Sequence, residues 1–118
     1  MNKYRNRKCE SDNITFASKK ERDRYIILKS MERAGEIRNL EIQPSFLLQP
    51  AFKKNGKTIR SIKYIADFQY YDVVNKCVVV EDVKGFDKKR NTYLTTSTSD
   101  IKRKLFEYKY PELTIRLV

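Results

Sequence analysis

The feature that most constrains the fold is a near-continuous apolar run at residues 77–84, CVVVEDVK, which ends in charged side chains. Such a run predicts a central β-strand that is buried on both faces of a sheet. Side chains two apart on a strand share a face, so Asp82 and Lys84 point one way and Glu81 the other. Because charge at the end of a buried strand is costly to desolvate, the pair is either a functional site or a plain structural ion pair.

The segments around this strand predict an α/β fold. Ser18 predicts a helix N-cap, Glu21 completes a capping box, and Gly35 marks the stop of a helix over about residues 19–34. The remaining predicted elements are extended segments at 41–52, 57–72 and 77–84, a second helix at about 100–110, and a last strand at 113–118. This order predicts an αβββαβ core with a mixed four-stranded sheet flanked by helices.

The length of 118 residues predicts one domain, 1–118, with a basic N-terminal arm at residues 1–13. The second helix is expected to begin at Ser97 or Ser99 as its cap. Its inward side chains are expected to be Ile101, Leu105 and Tyr108.

Two further acidic residues stand at positions where an apolar residue is expected. Asp67 lies in the predicted strand 57–72, although Asp is a poor strand former. The short connection to the next strand would bring it beside Asp82. Glu21 lies on the inward stripe of the first helix, where it would complete a carboxylate cluster. Backbone hydrogen bonds to Asp67 and the capping box at Glu21 are the structural alternatives.

The chain contains no histidine. This excludes Ser-His and Cys-His hydrolases, histidine-metal nucleases and His-ligated zinc sites. Any hydrolysis would run on carboxylates, a lysine and a hard cation such as Mg²⁺.

The charge of the chain favours a polyanionic partner. The formal net charge is +11, from 26 Lys and Arg against 15 Asp and Glu, and nucleic acid is the usual partner of such a domain. A solvated basic face is the alternative. The candidate DNA-binding residues are Lys88, Lys89, Arg90, Lys102, Arg103 and Lys104. The first three lie in a polar stretch at 85–98 that is expected to be a loop.

No apolar stretch is long enough to cross a bilayer, and no apolar segment follows the basic N-terminus. Neither a membrane partner nor secretion is therefore expected. The two cysteines form no disulfide or metal-ligand pattern, which suits a reducing cytoplasm.

The residues Ala66-Asp67 and Asp82-Val83-Lys84 resemble the motif of the PD-(D/E)xK nuclease superfamily, with Ala66 in place of the proline. The αβββαβ order also resembles that superfamily's restriction-endonuclease-like core. The whole chain is similar to small phage-encoded nucleases of this fold through FASKKE at 16–21, EIQP at 41–44, YIADF at 64–68 and VEDVKG at 80–85. It is also similar to junction-resolving enzymes of the phage endonuclease I type.

The resemblance implies a Mg²⁺ site, in which Mn²⁺ can substitute. Asp67 and Asp82 would bind the metal, with the Val83 carbonyl as a further ligand and Glu21 binding directly or through water. Lys84 would orient the attacking water and steady charge on the phosphate. Gln43 is placed in the same cleft.

The function implied is a structure-specific DNA endonuclease resembling a Holliday-junction resolvase. Symmetric cutting of a junction needs two active sites, so a homodimer acting on branched DNA is expected, in the host cytoplasm if a phage encodes the chain. Two alternatives stay open: a DNA-binding module that has lost cleavage, and a nuclease for linear or nicked DNA.

Overall fold

The computed structural model describes residues 9–118, which form two α-helices and twelve short β-strands. The helices are α1 (Lys19–Arg33) and α2 (Ser97–Lys109). The strands are β1 (Cys9–Ser11), β2 (Ile14–Phe16), β3 (Ile37–Ile42), β4 (Ser45–Gln49), β5 (Phe52–Lys54), β6 (Lys57–Ile59), β7 (Ile62–Ile65), β8 (Phe68–Asp72), β9 (Cys77–Asp82), β10 (Phe86–Asp87), β11 (Thr92–Tyr93) and β12 (Ile115–Leu117). Residues 1–8 of the predicted arm lie outside the described residues, and β1, within the rest of it, pairs with β2.

The largest sheet has four strands in the order β12-β9-β8-β3. β12 runs parallel to β9, with Ile115 opposite Val80 and Leu117 opposite Asp82. The predicted α/β class, with a mixed four-stranded sheet and two helices, is therefore confirmed. The finer expectation of a restriction-endonuclease-like core stays a prediction.

Helix α1 begins and ends where its signals predict. The Ser18 hydroxyl accepts a hydrogen bond from the Glu21 N–H at 3.2 Å, which satisfies one of the free donors of the first turn. Gly35 adopts a φ of +80°, and its N–H donates to Glu32 O, as at many helix C-termini. Tyr25 and Leu28, on the predicted inward stripe, are buried.

The predicted long strand at 57–72 is wrong, because the chain changes its pairing partner within it. It is divided into β6, β7 and β8. The Ala66 N–H donates to Pro44 O at 3.1 Å, whereas the next N–H, of Asp67, donates to Glu81 O at 3.0 Å. Asp67 therefore stands at a break between two strands. Apolar alternation continues through this break, so the pattern gave no sign of it.

Strand β9 is buried over its C-terminal part, as predicted for a central strand. Val80 and Glu81, on opposite faces, are both 0% exposed, and Asp82 is 5% exposed. The expectation fails at the start of the strand, where Cys77 and Val78 are exposed.

Helix α2 begins earlier and faces differently from the prediction. Its N-cap is Thr96, and Ser99 completes a capping box three residues later. The inward residue is Phe106, at 0% exposed. The residues expected to face inward are instead exposed: Ile101, Leu105 and Tyr108. The buried face of α2 is the one that carries Phe106, whose ring packs edge-on against Phe46 with the centroids 4.7 Å apart.

The described chain divides into two compact units. Unit 1 contains the described residues up to Leu40 together with 70–77, and unit 2 contains 41–69 and 78–118. In unit 1, α1 packs on β1 and β2, with the Phe16 and Tyr25 rings 5.1 Å apart. In unit 2, α2 packs on β4 and β7 over a core of Tyr64, Ala66, Val80 and Phe106.

Neither helix in the described part of the chain is long and apolar enough to cross a membrane.

Candidate active site

The C-terminal end of β9 brings Asp82 and Lys84 together. The Lys84 Nζ lies 3.6 Å from Asp82 Oδ2, which confirms the prediction that the two side chains share a face. Their backbone is fixed by the end of β12, because Val118 N donates to Asp82 O at 3.0 Å and Lys84 N donates to Val118 O at 2.9 Å. The two charged side chains thus project from a segment held on both sides of Val83.

Tyr64 is a member of the site that the sequence did not reveal. Its hydroxyl donates to Asp82 Oδ2 at 2.8 Å, and its side chain is only 4% exposed. Burial raises the pKa of this hydroxyl strongly, and the negative charges of Asp82 and Asp67 raise it further. Tyr64 is therefore a neutral donor that holds Asp82 in place.

A signal for Tyr64 was present in the sequence. It falls on the apolar parity of its strand, a position typical of a core side chain. A buried tyrosine hydroxyl nevertheless needs a hydrogen-bond partner. Asking for that partner would have pointed to a nearby carboxylate.

Asp67 lies beside the same segment. Its Oδ2 accepts a hydrogen bond from the Val83 N–H at 2.6 Å, and its own N–H donates to Glu81 O. The predicted proximity of Asp67 to the end of β9 is thus observed, and so is the alternative that it accepts a backbone hydrogen bond. The segment 81–83 thus carries the Asp82 carboxylate and binds the Asp67 carboxylate through the Val83 N–H.

The Asp82 carboxylate opens into a cleft of about 250 Å³. The cleft is lined by Lys63, Tyr64, Ile65, Asp82, Lys84, Thr96, Thr98, Ser99 and Lys102. The lining thus includes three lysines and one carboxylate, a net positive set of side chains. The first turn of α2 forms one wall and adds the positive end of the helix dipole. An anionic group such as a phosphate suits this environment.

Gln43 is not among the residues that line this cleft. Its backbone is close to the site, since its N–H donates to Asp67 O at 2.9 Å, but its side chain is exposed. The role of Gln43 in the cleft stays a prediction.

The predicted DNA-binding residues of α2 separate into two groups. Lys102 lines the cleft. Arg103 and Lys104 line another depression, shared with Asp100 and Glu107. The Arg103 guanidinium pairs with Asp100, whose pKa is lowered by a hydrogen bond from Thr95 and then by Arg103. Arg103 therefore has a structural partner within its own helix.

The predicted loop at 85–98 contains a short hairpin, formed by β10 and β11. The Phe86 and Tyr93 rings pack edge-on at 5.1 Å. Asp87 Oδ1 accepts from the Lys89 and Arg90 N–H groups at 3.0 and 3.3 Å. Lys88, Lys89 and Arg90 are thus exposed side chains of an ordered turn.

Glu21 lies in the first turn of α1, in unit 1, whereas Asp67, Asp82 and Lys84 belong to unit 2. Its membership of the acidic site stays a prediction.

The donors at the end of β9 suit a hard cation. The carboxylates of Asp67 and Asp82 and the carbonyl of Val83 offer only oxygen atoms, and Mg²⁺ is commonly held by one or two carboxylates with waters completing its shell. Within residues 9–118, no group of three or more His, Cys, Asp or Glu side chains is arranged to hold a metal. The Mg²⁺ ion that the resemblance implies therefore stays a prediction, for which Asp67, Asp82 and Val83 offer oxygen donors.

A family model described as "Protein of unknown function (DUF1064)" matches residues 1–118. No curated protein and no solved structure matches the chain.

Proposed function

The chain belongs to the DUF1064 family, and we propose that it is a Mg²⁺-dependent DNA endonuclease that hydrolyses phosphodiester bonds. The observation that carries the proposal is the pairing of Asp82 with Lys84, 3.6 Å apart, in a cleft whose other charged residues are Lys63 and Lys102. The resemblance of Asp67 and of Asp82-Val83-Lys84 to the PD-(D/E)xK motif supports the same chemistry.

DNA is favoured as substrate by charge at two levels. The whole chain carries a formal net charge of +11, and the cleft concentrates three lysines around one carboxylate. Phosphate contacts of this kind supply most of the affinity of non-specific nucleic-acid binding. Hydrolysis of a phosphodiester also requires stabilisation of extra negative charge in the transition state, which Lys84 is placed to provide.

A Mg²⁺ ion would be held by the carboxylates of Asp82 and Asp67 and by the Val83 carbonyl, with Glu21 as the predicted additional ligand. The ion would polarise the scissile phosphate and acidify the attacking water. The protein residues do the positioning. Tyr64 and Lys84 both approach Oδ2 of Asp82, so Oδ1 would be the oxygen with which Asp82 holds the ion. Lys84 brings its ammonium to the phosphate and orients water there.

The test is cleavage of a four-way DNA junction in Mg²⁺ by the wild type, Asp82→Asn and Asp72→Asn. Asp72 is a matched control outside the cleft: its Oδ1 accepts from the Val74 and Asn75 N–H groups, which an Asn Oδ1 can also do, and the variant loses only the bond from Asn75 Nδ2 to Oδ2. We expect the wild type and Asp72→Asn to cut, and Asp82→Asn to lose at least about 100-fold of the rate, as for other charge-stabilising groups. Equal cutting by Asp82→Asn would refute the proposal.

The finer proposal is a junction resolvase that acts as a homodimer, as the resemblance to phage endonuclease I type enzymes implies. Side-by-side cleavage of junction, flap, nicked and linear duplex substrates tests this preference. A resolvase cuts the junction fastest and symmetrically. Fastest cutting of linear or nicked DNA would instead make the protein a nuclease for those substrates.

A DNA-binding module without cleavage is the second candidate, and one observation favours it. Asp67 Oδ2 already accepts a short hydrogen bond from Val83 N, as a purely structural carboxylate would. Wild type and Asp82→Asn that are equally inert in Mg²⁺ and Mn²⁺, but bind DNA, would establish this alternative.

A further inference from the structure

An exposed hairpin extends from the two-stranded ribbon that borders the cleft. β4 pairs with β7, with Phe46 opposite Tyr64, and the same chain continues outward as the antiparallel pair β5 and β6. All residues at 49–60 are exposed. The β4–β7 part is covered by α2, whereas the β5–β6 hairpin (residues 52–59) lies beyond the core.

The tip of this hairpin has a defined backbone. Asn55 and Gly56 have φ values of +52° and +74°, the signs required by the two-residue turn that suits the twist of a hairpin. Lys54 pairs with Lys57, Lys53 with Thr58, and Phe52 with Ile59. The lysines are therefore presented on a paired ribbon, which loses less conformational entropy on binding than a flexible loop.

The charge of the hairpin is one-sided. Residues 42–66 contain five basic residues, Lys53, Lys54, Lys57, Arg60 and Lys63, and none of the 15 acidic residues of the chain. Within the described residues 9–118, no ion pair involves the side chains of the four basic residues at 53–60. A surface that is merely solvated usually mixes both signs, and two lysines paired across strands repel each other. A polyanionic partner would relieve this repulsion.

The hairpin is continuous with the cleft through Lys63. Lys63 lines the cleft that contains Asp82 and Lys84, and it also lines the adjoining depression with Ser61, Ile62 and Lys102. From Tyr64 to Asn55 a strand spans at most about 30 Å, at roughly 3.3 Å per residue. That reach corresponds to about nine base pairs at roughly 3.4 Å each along one strand.

We propose that the β5–β6 hairpin is a duplex-binding arm that lies in the major groove of DNA, up to about nine base pairs from the phosphate held in the cleft. A two-stranded ribbon fits that groove, and Lys53, Lys54 and Lys57 would contact phosphates at its edges. The proposal rests on the proposed function in taking DNA as the partner, but it does not require cleavage.

The test measures binding of duplex DNA by fluorescence anisotropy in EDTA, where no cutting occurs. The hairpin variant is Lys53→Gln/Lys54→Gln/Lys57→Gln. The matched control is Lys19→Gln/Arg33→Gln/Lys76→Gln, which removes the same charge from exposed positions of unit 1. Since each phosphate contact contributes roughly 0.9 to the slope of log K against log salt, we expect the hairpin variant to lower that slope by about 3 and to weaken binding at least tenfold. The control should lower the slope by less than about 1.

Equal losses in the two variants would overturn the proposal, because bulk charge would then explain the binding. Equal affinity of the hairpin variant and the wild type would overturn it too.

Methylation protection at guanine N7 tests which groove the hairpin occupies, since N7 lies in the major groove. The wild type should protect guanines of the bound duplex, and the hairpin variant should not; protection by both proteins excludes the hairpin as the cause.

Duplex length provides a second, independent measurement. Shortening a duplex arm below about nine base pairs should weaken binding of the wild type and leave the hairpin variant unchanged. Hairpin-dependent binding of single strands with the same affinity would contradict a duplex arm.

If Asp82→Asn and the wild type are both inert while the hairpin dependence persists, the endonuclease proposal fails and the arm stands. If cleavage is observed and the hairpin variant binds and cuts as the wild type does, the arm fails alone.

Discussion

At the scale of single residues, Asp82 and Tyr64 depend on each other. The carboxylate is nearly buried and accepts from the Tyr64 hydroxyl at 2.8 Å. A buried charge needs such a donor, and a buried hydroxyl needs such an acceptor. The interaction therefore stabilises unit 2 and also fixes the rotamer of the residue proposed to bind the metal.

Tyr64→Phe tests this double role. Leaving the buried carboxylate with one donor fewer should lower the free energy of unfolding by about 1–3 kcal/mol, measured by urea denaturation. It should also raise the Mg²⁺ concentration needed for half-maximal cleavage, because Asp82 is no longer oriented.

The matched control is Tyr25→Phe, which removes a hydroxyl bonded to Asp12 at 2.9 Å in unit 1. It should lower stability without changing the Mg²⁺ dependence. The same Mg²⁺ shift in both variants would mean that Tyr64 acts only through stability.

Residue-level prediction succeeded where it depended on strand alternation alone. Asp82 and Lys84 share a face because β9 is regular up to Asp82. The proximity of Asp67 to the end of β9 was predicted correctly, but the continuous strand around it was not, because the change of pairing partner at Asp67 is a tertiary event. Tyr64 was missed because an aromatic residue on an apolar parity satisfies the core pattern whether or not its hydroxyl has a function.

At the scale of elements, Glu32 links α1 to β3 within unit 1. Its Oε2 accepts from the Leu40 N–H at 3.1 Å, and Lys29 Nζ lies 3.0 Å from Oε1. The hydrogen bond from Lys29, followed by that from Leu40, lowers the pKa of Glu32 below its ordinary value. Its stabilisation is therefore complete above the ordinary pKa and is lost as the pH falls through the lowered one.

Glu32→Gln should reduce the free energy of unfolding by about 1 kcal/mol at neutral pH. The difference from the wild type should vanish well below pH 4.5, the ordinary value for this group, where the wild-type carboxyl is also neutral. Chemical denaturation across the acid range measures this. A difference that stays constant with pH would mean that the charge of Glu32 contributes nothing.

Helix α2 provides the second prediction at this scale, because its buried face differs from the one expected. Phe106→Ala should lower the free energy of unfolding by about 3–5 kcal/mol, because it opens a cavity among the aromatic rings. Tyr108→Ala, at a side chain that is 90% exposed, should change stability by about 0.5 kcal/mol or less. Thermal or urea unfolding compares the stabilities of the two variants. A larger loss of stability for Tyr108→Ala would mean that the face predicted from the sequence is the buried one.

The elements themselves were largely predictable. The caps at Ser18 and Gly35 located α1, because capping depends on local hydrogen bonds. The inward face of α2 was not predictable, since apolar residues lie on more than one side of this helix and only packing against Phe46 selects Phe106.

At the scale of the whole molecule, charge and assembly decide which DNA can be bound. If the protein resolves junctions, two chains should bind one junction, and sedimentation velocity of the complex should show a protein mass of twice 14.1 kDa. The Asp82→Asn variant keeps the substrate intact during the run. One chain per junction at every protein concentration would contradict a symmetric resolvase.

Within residues 9–118, the β5–β6 hairpin is also a site where proteases should cut readily. A hairpin that packs on no core can unfold locally at little cost in free energy. Trypsin should therefore cut first after Lys53, Lys54 or Lys57. The two fragments should remain associated, because β4 still pairs with β7 and both still pack under α2. Limited digestion followed by gel filtration should therefore give one particle of intact size that contains two shorter chains. Bound duplex DNA should slow this cleavage.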